Sequence, residues 1–122
     1  MLFVGKGREL WHCRVDLIAP DDDGRRVSRA AQGLRPLLRG ENTGPGHGYG
    51  VDQGKGDEGQ PVLGLTFWVK ADEVGPAAST ALATARQAGA SADAGPEYYN
   101  VTLVPRSAIL MRADDHAIDM AD

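Results

Sequence analysis

Val62-Leu63-Gly64-Leu65-Thr66-Phe67-Trp68-Val69-Lys70 is the stretch from which the fold can be read. It is rich in β-branched and aromatic residues and follows a Gly- and Pro-containing cluster, the composition of a strand entered from a turn. With a period of two, Leu63, Leu65, Phe67 and Val69 share one face, and Val62, Gly64, Thr66, Trp68 and Lys70 share the other. The first face is purely apolar and calls for a layer of helices. The second is mixed yet carries a tryptophan, so what covers it becomes the functional question.

Outward from this strand the same period recurs. Over Leu10–Ala19, Trp11, Cys13, Val15 and Leu17 alternate with His12, Arg14, Asp16 and Ile18, and Pro20 ends the run. Asp21-Asp22-Asp23-Gly24 then opens a helix, where acidic groups cap free N–H groups and complement the dipole. Its apolar stripe is Val27, Ala30, Ala31, Leu34, Leu37 and Leu38. Pro36 predicts a break near Gly33–Arg35, and Gly40 offers a C-terminal cap.

Eight of the 22 residues from Gly40 to Pro61 are glycine. Within that segment His47–Asp52 reads as a short edge strand hairpinned to the central one, with Gln53–Gly59 as the turn. Beyond Lys70, Pro76 suits a first helical turn. Ala77–Ala88 forms a small-residue helix with Ala78, Ala81, Leu82 and Ala85 as its stripe, ended by Gly89. Tyr98–Val104 is the last clear strand, read with Tyr99, Val101 and Leu103 on one face and Tyr98, Asn100 and Thr102 on the other. Residues 107–112 fit a strand or a helix equally.

Strand, helix, weak strand, strand, helix, strand resembles the ferredoxin-like βαββαβ plait over about Leu10–Val104. The resemblance is one of architecture, and it implies α+β class, a four-stranded antiparallel sheet in the order 4-1-3-2 and two helices on one face. It brings no function with it. The chain divides into an extension (1–9), a single domain (10–113, with the Gly-rich 40–61 inside it) and an acidic tail (114–122).

At 122 residues one domain can bury roughly two thirds of its unfolded surface. The formal net charge is −4. Asp114, Asp115, Asp119 and Asp122 account for it, which leaves the body neutral and without the positive field of a general nucleic-acid binder. Cys13 is the single cysteine, which excludes an internal disulfide and a zinc-type Cys spacing and fits a reducing compartment. The short apolar run at the N-terminus does not suit a signal peptide, and no stretch approaches the ~20 apolar residues of a membrane helix. The expectation is a cytoplasmic protein.

Under the plait, the face away from the helices carries His12, Arg14 and Asp16, flanked by Thr66 and Trp68 and by Tyr98, Asn100 and Thr102. Aromatics beside hydrogen-bonding groups mark a contact surface, so the leading expectation is a non-enzymatic interaction or regulatory module. Its partner would be a second copy, or another protein, with no cofactor.

The alternative is a small dimeric enzyme or ligand-binding protein. In it His12 serves as general base, Arg14 holds an anion, and Tyr98 or Asn100 donates to an oxyanion. His12 and Asp16 stand roughly 13 Å apart along the strand and cannot form a dyad. Base stacking on His12 and Trp68 is the third reading, disfavoured by the neutral body and the missing Lys/Arg-Gly-aromatic core.

Other candidates are weaker. Gly44–Gly50 and Gly54-Lys55-Gly56 lack the strand-then-helix setting and the Ser/Thr of a phosphate loop. Asp114, Asp115, His116 and Asp119 read as a solvated tail before a metal site, and Cys13 as an inert buried thiol. His47 stands alone.

Overall fold

The computed structural model describes residues 9–38, 40, 42 and 48–108. Along the chain it comprises β1 (Glu9–Ile18), α1 (Arg25–Leu34), a 3-10 turn (Arg35–Leu37), β2 (Gly50–Lys55), β3 (Pro61–Ala71), α2 (Val74–Ser91) and β4 (Tyr98–Pro105). The class is α+β. The four strands form one open antiparallel sheet in the order β2-β3-β1-β4, which is 4-1-3-2 read from the other edge.

One continuous core joins the sheet to both helices. Cys13, Val15 and Leu17 of β1 and Leu63, Leu65 and Phe67 of β3 are fully buried, as are Ala30 and Leu34 of α1. α2 contributes Ala77, Ala81, Ala85 and Ala88. Its stripe is thus centred on Ala77, Ala81, Ala85 and Ala88, with Leu82 partly buried beside it and Ala78 off the cluster. Methyl-sized residues hold α2 close to the strands. Gly33 of α1 does the same between helices: a methyl there would stand 2.8 Å from Ser91 Cβ.

The acidic triplet between β1 and α1 makes three separate contacts. Asp23 Oδ1 accepts from the Arg25 N–H at 2.9 Å, Asp22 pairs with Lys55 of β2, and Asp21 pairs with Arg26. Arg26, buried in the middle of the helical layer, also donates to the carbonyl of Ala92 at the end of α2. A helical arginine in a polar-looking run gives no hint of this burial from spacing alone. α1 gives way to the 3-10 turn at Leu34, as Pro36 requires.

Two boundaries differ from the sequence expectation. β2 spans Gly50–Lys55, not His47–Asp52, because the hairpin closes in a tight turn. Gly56 N–H donates to Gln60 C=O at 2.8 Å, with Gly59 at φ 81°. Pairing therefore runs down to Lys55, and Gln53 is strand. His47 lies outside the described residues.

α2 also continues past Gly89 to Ser91. Gly89 is needed there for clearance, since a methyl would collide with Leu17 Cδ1. The residue that turns the chain out of the helix is Asp93, in the left-handed region at φ 59°. Ala94 N–H bonds Gly89 C=O and Asp93 N–H bonds Ala90 C=O, the paired bonds of a Schellman cap. Residues 1–8 and 109–122, including the acidic tail and most of 107–112, lie outside the described residues. Among the described residues no helix is long and apolar enough to cross a membrane.

Candidate functional site

Strand register assembles the face opposite the helices. Arg14 stands opposite Thr66 of β3 and Thr102 of β4, Asp16 opposite Gly64 and Asn100, and His12 opposite Trp68 and Val104. Gly50 and Asp52 of β2 extend the rows beyond Thr66 and Gly64.

Arg14 is the centre. Its Nη1 and Nη2 donate to Asp52 Oδ2 and Oδ1 at 2.8 and 2.9 Å, a two-pronged bond that crosses β3. It can cross because the strand carries glycine there: a methyl at Gly64 would overlap the Arg14 guanidinium and stand 2.8 Å from Asp52 Oδ1. Nη1 also lies 3.5 Å from Thr66 Oγ1. Asp16, 7% exposed, comes within 3.0 Å of Arg14 Nη2. Its Oδ1 has a charge partner but no aligned donor.

The hydrogen bond to Asp52, with the two nearby carboxylates, raises the Arg14 pKa, and the same bond holds the Asp52 carboxyl below its ordinary range. Arg14 is therefore already engaged by carboxylates of its own sheet. For Asp52 the sign is that of a depressed carboxylate. The pair stabilises the fold above the unfolded carboxyl pKa, near 3.8, and that contribution disappears as pH falls through the lower folded value. Both side chains are more than a third exposed, so the pair contributes only ~0.2–1 kcal/mol. NMR titration should place the Asp52 carboxyl below 3.8, and Arg14→Ala should return it to that value. A normal Asp52 titration would show that the pair does not persist in solution.

At one end of the face Trp68 meets His12 edge-on, ring centroids 4.9 Å apart. Burial lowers the His12 pKa, so the imidazole is neutral at pH 7. Trp68 is 8% exposed. It is on the expected face, and its indole is packed against the protein itself.

Its backbone is held in an unusual way. β2 pairs with β3 only from Pro61 to Thr66. At Trp68 the carboxamide of buried Asn42 substitutes for a strand: Trp68 N–H donates to Asn42 Oδ1 at 2.6 Å, and Asn42 Nδ2 donates to Trp68 C=O at 3.1 Å.

Tyr98 is not on this face. The β1–β4 register shifts between Asp16 and Leu17, so that Asn100 opposes Asp16 while Tyr98 opposes Leu17. The bulge puts Tyr98 on the helix side, packed against the core with Arg86 of α2 5.3 Å from its ring centre. Tyr99, expected inward, takes the open side at the far end. Its hydroxyl accepts from the Asp57 N–H at 2.6 Å, and its ring lies against Gly56 in the β2–β3 turn.

Of the residues expected here, His12, Arg14, Asp16, Thr66, Trp68, Asn100 and Thr102 are brought together, and Tyr98 is not. Asn100 and Thr102 are exposed. Asp52, Tyr99 and Asn42 were missed. Asp52 had a usable signal, a lone carboxylate between Gly50 and Gly54 on a strand next to one carrying Gly64. Tyr99 and Asn42 had none.

Cys13 lies on the helix side, its thiol pushed up to about 12 by burial. Among the described residues no three His, Cys, Asp or Glu side chains are grouped as metal ligands. A groove of about 520 Å³ beside β3 runs between Leu37, Phe67 and the Ser79–Thr84 flank of α2, with Lys70 as its one charged lining residue among the described residues. Set against protein-family models, curated proteins and solved structures, the chain matches none of them.

Proposed function

We propose that this protein is a non-enzymatic interaction module with the ferredoxin-like plait, and that a second copy docks on its open sheet face. The plait is supported by the element order, the all-antiparallel sheet and the common core under both helices. One observation supports the docking role above the others: the Arg14–Asp52 bond with Asp16 beneath it. A sheet surface whose charges already satisfy one another can be covered without leaving an unpaired ion, which is the main cost of burying polar groups at an interface. Around it Asn100 and Thr102 remain exposed and able to hydrogen-bond across a contact.

The same geometry weakens the enzyme reading. Arg14 already directs both Nη groups at carboxylates of its own sheet, and Tyr98 stands on the helix side. Nucleic acid finds Arg14 and Lys70 offset by Asp16 and Asp52.

The bare glycines of β2 provide the test. A Cβ at Gly50 or Gly54 meets nothing within 4 Å, and both residues lie on the open face. Gly50→Arg should fold like the parent and sterically prevent a second copy from lying over the sheet, with a clear fall in mass by sedimentation velocity. An unchanged mass would remove the open face as the contact.

A further inference from the structure

Hydrogen-bond direction alternates along an antiparallel strand, and Asn42 fixes its phase here. Because the N–H and C=O of Trp68 point towards β2's side, those of Phe67 and Val69 point to β1. Their partners Cys13 and Trp11 therefore face β3, and His12, Arg14 and Asp16 face β4. In β4 it follows that Asn100, Thr102 and Val104 bond inward, while Val101 and Leu103 turn their N–H and C=O groups outward. Pro105 fits this phase, since it stands opposite Trp11, where its missing N–H would have pointed away from the sheet. Among the described residues nothing pairs with the outward groups of Val101 and Leu103.

Among the described residues, the stretch of this edge between the bulge at Tyr98–Asn100 and Pro105 has no charge and no proline of its own. Tyr98–Pro105 is eight residues without a charge, rich in β-formers, and its only proline is the last residue. Exposed edges are ordinarily blunted by lysine, an inward charge, brevity, proline or a bulge, and here the last two stand only at the strand's ends. Beside the bare backbone, Tyr98, Val101 and Leu103 are only partly buried on the helix side, since α2 lies mainly over β3 and β1. Glu97 and Arg106, both exposed, flank the strand with opposite charges.

We infer that β4 is a joining edge and that its occupant is the β4 of a second copy, antiparallel about a two-fold axis at Thr102. In that register Val101 and Leu103 of one chain exchange their outward bonds with Leu103 and Val101 of the other. The two Thr102 side chains meet as a non-hydrogen-bonded pair. Antiparallel pairing brings the Glu97 end of one strand alongside the Arg106 end of the other, twice, so the charges that flank the strand complement one another only in this direction. The two half-covered apolar strips merge, and the open faces become one eight-stranded surface. The contact is separate from that proposed for the open face.

Thr102 is exposed, so replacing it spares the core. Thr102→Lys and Thr102→Glu, each alone, place like charges across the axis and should weaken self-association by roughly tenfold, read by sedimentation velocity at matched concentration. An equimolar mixture of the two should restore it. Val101→Pro removes an outward N–H along with part of the Val101 packing on the helix side and should act likewise, with an unchanged circular dichroism spectrum showing that the fold survives.

A wild-type chain that is monomeric throughout overturns both this contact and the open-face one. A dimer split by Gly50→Arg but not by Val101→Pro or the Thr102 variants overturns this inference alone. A dimer with the reverse response supports it and removes the open-face contact. A tetramer that each set reduces to dimers supports both.

Discussion

Phe67→Ala should remove about 3–5 kcal/mol of folding stability, the range for emptying a fully enclosed aromatic site. For a chain of this length that is a fall in Tm of roughly 10–20 °C. Phe67 is the largest fully buried side chain, and it sits on the strand held on both sides, by β1 and β2, under the two helices. Neighbours cannot easily collapse into the gap: the α2 residues above it are alanines on a helix already close to the sheet. Urea unfolding followed by circular dichroism measures the effect. A loss under 1 kcal/mol would mean that the helical layer does not close over β3.

Asn42→Ala should cost about 1–3 kcal/mol, a large effect for a residue outside the helices and strands. Removing the carboxamide takes away two buried hydrogen bonds to the Trp68 backbone, each with a net contribution of about 0.5–1.5 kcal/mol. Asn42→Asp sharpens the test. It keeps an acceptor for the N–H but turns a carboxylate towards the carbonyl oxygen, so at neutral pH it should be no more stable than the alanine variant. It should recover as the acid is protonated. If Asn42→Asp matched the wild-type chain at neutral pH, the carboxamide would not be serving as a strand.

How far the sequence could be read follows from the reach of each interaction. β1 and β3 are ten and eleven residues long with one face committed to the core, and their alternation survives any error of a residue at the ends. That was enough for the strand neighbours and for seven of the eight residues expected on the open face. The exchange of Tyr98 for Tyr99 was invisible because a bulge is a property of two strands paired across some eighty residues of chain, and one extra residue inverts everything N-terminal to it. Gly89 misled for a related reason. Near the end of a helix glycine suggests a cap, but here Leu17 demands the space and Asp93 takes the left-handed position. Asn42 and Arg26 act through partners 26 and 66 residues away, beyond any local pattern.

The two margins of the sheet are not equivalent, and this limits how large an assembly can grow. On the β2 margin Lys55 and Gln53 are drawn to Asp22, and past Thr66 the Asn42 amide already fills the hydrogen-bonding slot at Trp68. Among the described residues, side chains thus crowd the β2 margin at these points, and none engages the backbone of β4. If strands add only at β4, that contact closes as a pair along the sheet, and any larger assembly has to come through the open face.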